Sequence, residues 1–215
     1  MCGEPASSAF TTVVDAAIAR EIKRRRAELG LSAEALGARC ADLGYPLTRQ
    51  VIAKLESGAR SGPAPAELLI LARALEMPPV SLILPLGQGP TTRPTPLSES
   101  TPWEAVAWFT GEDRAALPET PEAGSPQAIL DAFRRHDRLV RTALLSTRMA
   151  AERRRDAQLA PPDDYERTDT AAAQLEQVAQ ADRSDLLAAR RALRDQSLFP
   201  PPLPADLAHI DREQV

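Results

Sequence analysis

An all-α protein in two parts is predicted by three observations. Aromatic residues make up only 4% of the 215 residues, while Leu, Ala and Arg, all good helix formers, dominate. With 20 Pro and 10 Gly in the chain, a single compact α/β sheet protein is not expected. Apolar residues recur at three- and four-residue spacing in several segments, which is the period of an amphipathic helix.

The elements follow in chain order. Residues 1–12 are expected to be disordered. Asp15 to Leu29 reads as a helix with Ala17, Ile18, Ile22 and Leu29 on one face, stopped by Gly30. Ser32 is placed to cap a second helix running from Ala33 to about Leu43. After the turn Gly44-Tyr45-Pro46, Thr48 caps a third helix from Arg49 to Ser57, with Val51, Ile52 and Leu55 inward and Gly58 at its end. Pro65 opens a fourth helix reaching Leu75, and Val80 to Leu84 makes a short fifth. Together 13–86 form one five-helix domain. Residues 87–100 lack periodicity and are rich in Pro and Gly, which predicts a linker.

The second part spans 101–198. Thr101-Pro102-Trp103-Glu104 is a capping box with Pro at the first helical position, and its helix ends at Thr110-Gly111. A loop from Glu112 to Gly124 precedes a long helix from Ser125-Pro126 to about Ala157. A second long helix is expected from about Glu166 to Gln196. The loop of about eight residues between them predicts an antiparallel hairpin. Their apolar stripes are Ile129, Phe133, Val140, Leu144 and Ala151 on one helix, and Leu175, Val178, Leu186, Ala189 and Leu193 on the other. Such stripes are narrow and need a partner: the Trp103 helix, or the same surface of a second chain. Residues 199–215 form a Pro-rich tail.

Composition excludes several function classes. No apolar run reaches the roughly 18 residues of a membrane span, and the N-terminus lacks the pattern of a signal peptide, so a cytoplasmic protein is expected. Two Cys and two His without ligand spacing predict no metal, and no cofactor motif is present. No catalytic triad, phosphate-cradling glycine loop or acidic metal cluster occurs, so no enzymatic activity is expected. The net charge is −4, but it is uneven. Residues 20–60 carry nine Lys/Arg and five Asp/Glu, whereas 63–215 carry 17 Arg and 23 Asp/Glu. A basic module on an acidic remainder points to a reader of nucleic acid.

The second and third helices sharpen this. A capped helix that begins with Arg and Gln after a helix and a turn is how a DNA-recognition helix is built. Arg49, Gln50 and Lys54 fall on its outward face. Arg suits guanine O6 and N7, and Gln suits adenine N6 and N7. Ile22 to Gly58 resembles the Cro/lambda-repressor-like (Xre-type) helix-turn-helix family through Ile22, Arg26, Gly30-Leu31-Ser32, Leu36, Thr48-Arg49, Ile52, Glu56 and Gly58. Leu68, Leu71 to Leu75 and Val80 match its fourth and fifth helices, and Thr101 to Glu112 resembles small actinobacterial regulators of this type. The resemblance implies double-stranded DNA as partner and base reading by Arg49, Gln50 and Lys54. It places Ser32, Thr48, Ser57 and Arg60 near phosphates, and it implies a structural ion pair between Arg26 and Glu56. Two departures stand out: Ala33 replaces a frequent Gln, and the turn from Cys40 to Leu47 is longer by about three to five residues, which would shift the recognition helix.

Duller roles are expected elsewhere. Arg24 and Arg25 read as a solvated face or a phosphate clamp. Cys40 reads as a small buried apolar group, and Cys2 as incidental. His136 is expected to be partly buried and hydrogen-bonded, and Trp103, Trp108 and Phe109 to be the core of the second part. Arg153 to Arg155 are expected to complement a helix C-terminus. The tail Pro200 to Pro204 is either packed on the helices or a docking motif.

The functional expectation is a sequence-specific DNA-binding transcriptional regulator acting as a repressor. It is expected to be a homodimer held by 126–196, with Phe133, Val140, Leu144, Leu186 and Leu193 in or near the interface. Two rival classes remain: an adaptor or antitoxin-like partner using the acidic helices, and a ligand-gated sensor with a pocket around Trp103 and Trp108. No effector is legible.

Overall fold

The computed structural model describes residues 6–113 and 120–214. Cys2 and the middle of the 112–124 loop lie outside them. The chain divides into two compact units, Met1–Leu117 and Pro118–Val215. The first holds five helices: α1 (Ala6–Glu28), α2 (Ala33–Asp42), α3 (Arg49–Glu56), α4 (Pro65–Ala74) and α5 (Pro79–Ile83). It also holds a two-stranded antiparallel ribbon, β1 (Thr92–Thr95) and β2 (Ser98–Ser100), followed by α6 (Pro102–Thr110). The second unit consists of α7 (Pro126–Leu159), α8 (Pro162–Asp195) and a terminal 3-10 helix, Ala205–Gln214. Apart from that ribbon, the regular elements among the described residues are all helical.

The core of the first unit comes from all five helices. Ile18 and Ile22 of α1, Leu36 and Cys40 of α2, Ile52 and Leu55 of α3, Leu71 and Leu75 around α4, and Leu82 of α5 form one buried cluster. Burial pushes the Cys40 thiol up, so it stays a neutral, inert packing group. Helix α1 starts at Ala6, so the expected disorder over 1–12 gives way to helix across 6–12. The physical reason is continued packing: Val14 lies one turn before Ile18 and sits against the same core. The expected linker 87–100 contains the ribbon, where Thr95 and Ser98 hydroxyls bond at 2.6 Å and the Thr95 N–H donates to Ser98 Oγ. Helix α6 falls in the first unit rather than with the long helices. Its capping box forms as expected: Thr101 Oγ1 accepts from the Glu104 N–H, and Glu104 Oε2 accepts from the Thr101 N–H. That second bond, followed by the Thr101 hydroxyl, holds the Glu104 carboxyl below its usual range. Trp103, Trp108 and Phe109 are not a core; they are 63%, 41% and 50% exposed, because only Ala105 faces the protein.

In the second unit α7 and α8 run antiparallel, joined by Ala160 and Pro161 alone. Helix α8 begins at Pro162 rather than about Glu166, with Asp163 and Asp164 in the first turn, where the positive helix end favours them. Apart from Ser146 and Arg190, the buried residues recur every seventh position: His136, Ala143, Ala150 and Ala157 on α7, and Ala172, Ala179, Leu186 and Leu193 on α8. A seven-residue repeat keeps one seam facing the partner helix, as in a coiled coil, and Ala in that seam lets the helices approach closely. Arg154 bonds Glu176 with Nε at 2.6 Å and Nη2 at 2.8 Å, and also bonds Asp169. These are cross-hairpin pairs rather than the helix-end role expected of Arg153 to Arg155, since α7 continues to Leu159.

The tail docks on this hairpin. Leu207 and Ile210 are buried against Ala143 and Leu186, with Leu139, Val140, Leu144, Leu187 and Leu203 around them. Leu186 and Leu193, expected in or near an interchain interface, are therefore fully used inside the chain. Val140 and Leu144 are half covered by the tail, and Phe133 is half-buried. A buried polar cluster pins the tail. Arg190, 2% exposed, donates from Nε and Nη2 to the two carboxylate oxygens of Asp211 at 2.8 and 2.7 Å. Its Nη1 donates to the Pro201 carbonyl and to Nε2 of His136, each at 2.8 Å. Arg194 also donates to Asp211 at 2.7 Å. Burial alone would raise the Asp211 carboxyl, but the hydrogen bonds from Arg190 and Arg194 outweigh it and hold the group low.

Candidate nucleic-acid interface

Helix α3 is built by its cap. Thr48 has extended backbone (φ −71°, ψ 153°), and its Oγ1 accepts from the Val51 N–H at 3.3 Å. Ile52 and Leu55 then fall inward to the core, which leaves Arg49, Gln50 and Lys54 outward. All three are exposed, and their side chains make no hydrogen bond or ion pair within the described residues. Gly58 (φ 71°) ends the helix in the left-handed region, turning the chain into the loop that carries Arg60.

The long turn before α3 is docked rather than loose. Leu47 is buried, 6% exposed, and its carbonyl lies where a Cβ on Gly37 would be, at 2.5 Å. Gly37 in α2 thus accepts the extra turn residues against the helix backbone. Sequence reasoning missed Gly37, because a glycine inside a helix signals close approach only once its neighbour is known.

The Arg26–Glu56 pair fastens the far end of α3. Arg26 Nε donates to Glu56 Oε1 at 2.6 Å and Nη2 to Oε2 at 2.7 Å, while Nη1 donates to the Leu31 carbonyl at 2.7 Å. One guanidinium ties the end of α1, the start of α2 and the end of the recognition helix. The side chains are 18% and 9% exposed, so losing either partner leaves the other charge partly desolvated.

The hydroxyls placed near phosphates also act as caps. Ser32 Oγ accepts from the Ala35 N–H at 3.0 Å, as Thr48 does from Val51, and each keeps its own proton to donate. Ser57 differs, since its Oγ donates to the Lys54 carbonyl at 3.3 Å. Arg60 is held by Glu67, Nη2 to Oε2 at 2.6 Å, and the same oxygen accepts from the Ala64 N–H at 2.9 Å. Burial pushes the Glu67 carboxyl up, but the bonds from Arg60 and Ala64 overcome this and keep it low. Glu67, the fourth helix's N3 residue, is the anchor that sequence reasoning passed over; Pro65 two residues earlier was its signal. Arg24 and Arg25 serve neighbours instead of an open face: Arg24 pairs with Glu21 and Glu28, and Arg25 donates to the Leu75 carbonyl at 3.1 Å.

The geometry is thus a rigid five-helix platform presenting one short helix, whose free side chains are a guanidinium, an amide and an ammonium. Residues 22–82 match the helix-turn-helix family of the Cro/C1 type. No curated protein and no solved structure matches the chain. Among the described residues no helix is long and apolar enough to cross a membrane.

Proposed function

We propose that this chain, an Xre-like helix-turn-helix regulator that binds DNA, reads its operator with Arg49, Gln50 and Lys54 of α3 and represses as a homodimer. The observation that carries the reading is the exposure of these three side chains, unpaired, on the outward side of a helix whose every other anchor is satisfied. Donors from the Ser32 and Thr48 hydroxyls and from the remaining nitrogens of Arg60 hold the flanking phosphates. Ser57 reaches a phosphate only by giving up its bond to Lys54.

One module covers a few base pairs, too few to single out an operator in a genome. Two modules held about one helical turn of DNA apart read two half-sites, which requires two-fold symmetry. The dimer element is the α7–α8 hairpin. Leu145 and Met149 are 62% and 46% exposed on α7, and Val178 is 51% exposed on α8. Met149 and Val178 each precede a seam residue by one. At about 100° per residue this puts them on the flank opposite the Arg154–Glu176 pair. Phe133, Val140 and Leu144 lie on the other flank, beside the tail, and stay outside this contact. Repression then follows from occupancy, since a dimer seated on an operator excludes other proteins sterically.

The test is salt-dependent binding to a duplex selected by the protein from random sequence. Arg49→Ala or Gln50→Ala is expected to cost about 1–3 kcal/mol on that duplex and far less on random DNA. Wild-type binding by both variants would refute base reading by α3.

A further inference from the structure

A cleft of about 520 Å³ lies between the N-terminal half of α1 and the loop after α3. That is the size of a small-molecule site. Its floor is apolar, formed by Ile22 and Leu55, and α1 lines it with the small residues Ala16 and Ala19. Only two charged side chains line it. Arg60 is already paired with Glu67, whereas Asp15 has no hydrogen-bond or ion partner within the described residues. The Asp15 carboxylate is half-buried and packs onto Gly62, where an added Cβ would lie 2.1 Å from Oδ1.

The rim beside Asp15 is made of acceptors. Thr11 Oγ1 donates its proton to the Ser7 carbonyl at 3.0 Å, and Thr12 Oγ1 donates to the Ser8 carbonyl at 2.9 Å. With those protons spent, both hydroxyls offer lone pairs only. A carboxylate and two hydroxyl acceptors above an apolar floor match a group with several N–H donors, a positive charge and an apolar body. An anion would meet the uncompensated Asp15 carboxylate, while the Arg60 charge is already met by Glu67.

We propose that this cleft binds a small primary amine with an apolar body, its ammonium held by Asp15 and the Thr11 and Thr12 hydroxyls. The walls include Leu55 and Gly58, so the occupant touches the end of the recognition helix itself. Occupancy thereby bears on DNA binding, and only this consequence rests on the DNA-reading role of α3.

The experiment titrates the full chain with 2-phenylethylamine, 2-phenylethanol and phenylacetate, reading backbone amide NMR shifts without DNA. The amine is expected to shift Thr11, Thr12, Asp15, Gly58 and Gly62 at a concentration about tenfold below that needed with the alcohol, a charge-assisted bond against a neutral one. Phenylacetate is expected to leave them unmoved. The isosteric Asp15→Asn is expected to bring the amine to the level of the alcohol at unchanged melting temperature. Equal response to amine and alcohol in the wild-type chain, no response at these residues, or an amine preference that survives in Asp15→Asn overturns the proposal. A chain that binds the amine but no duplex refutes the DNA reading alone; one that binds its duplex but not the amine refutes the cleft alone.

Discussion

The core of the first unit and the seam of the second are both packed helices, yet they use opposite side chains. Five short helices meet around Ile18, Ile22, Leu36, Ile52, Leu71, Leu75 and Leu82, all large and nearly all completely buried. The two 34-residue helices meet along Ala143, Ala150, Ala157, Ala172 and Ala179. Helices that cross at different angles leave wide spaces between them, which only long branched side chains fill. Two antiparallel helices in register leave almost none, so the smallest side chain packs best. The hairpin's large apolar residues Leu145, Met149 and Val178 are then turned outward. One unit spends its hydrophobic surface on holding α3 in place. The other leaves part of it exposed.

The sharpest way to break the contrast is to exchange the two kinds of residue. Ile52→Ala is expected to cost the first unit about 2–5 kcal/mol, because a fully buried side chain leaves a cavity. Hydrogen exchange on the full chain is expected to show the loss in α1 to α5 and not in α7 and α8. Ala150→Leu is the reverse experiment. It is expected to cost the hairpin about 1–3 kcal/mol by overpacking, seen as faster exchange in the middle of α7 and α8. Unchanged exchange there would mean that the helices are not held by their Ala seam.

A smaller effect separates the units by pH. Neutral His136 accepts from Arg190 through Nε2, and it lies near the carboxylates of Asp137, the next residue in sequence, and of Asp211 in the tail. Burial foremost, then the Arg190 charge, lowers its pKa below the ordinary 6.5, against the weaker pull of the two carboxylates. Folding therefore favours the neutral form. Its contribution is complete above about pH 6.5 and diminishes as pH falls below that value, until the folded group itself titrates. Stability of the second unit is expected to decline over that range, and His136→Gln, which keeps an acceptor, is expected to flatten the decline. Asp211 acts at lower pH: its stabilisation is lost as pH falls from about 3.8 through its depressed folded pKa.

Smallest of all on stability, and decisive for assembly, is the double change Met149→Asp with Val178→Asp. Both side chains are about half exposed, so the hairpin is expected to keep its stability within roughly 0.5 kcal/mol. Sedimentation is expected to change from dimer to monomer, with weaker operator binding. A wild-type chain that sediments as a monomer at micromolar concentration while binding its operator would remove the dimer.

Much of the first unit was legible in the sequence because its signals are local. Ser32, Thr48 and Thr101 cap the helices that follow them, and α2 and α3 end within a residue of where their periodicity does. By contrast, the helix expected from Asp15 begins at Ala6: Thr11 to Val14 are poor helix formers, yet α1 runs straight through them. Their helical state is set by Val14 packing on a core assembled from distant segments. On α7 the apolar stripe drawn through large residues is rotated from the seam, whereas on α8 Leu186 and Leu193 belong to both. Hydropathy gives Ala little weight, and only a facing helix makes small size the deciding property.

What the sequence by itself determined is the starts and stops of α2 to α6, together with the outward placement of Arg49, Gln50 and Lys54. A cap hydroxyl and a 3.6-residue period act within a few residues and need no partner. Only the tertiary structure decided which face of α7 meets α8, that Leu186 lies under the tail, and that Gly37 receives the Leu47 carbonyl. It also decided that Arg190 gathers His136, Pro201 and Asp211 around one buried charge. These depend on groups tens of residues apart meeting at bonding distance, and local chemistry carries no record of which ones will meet.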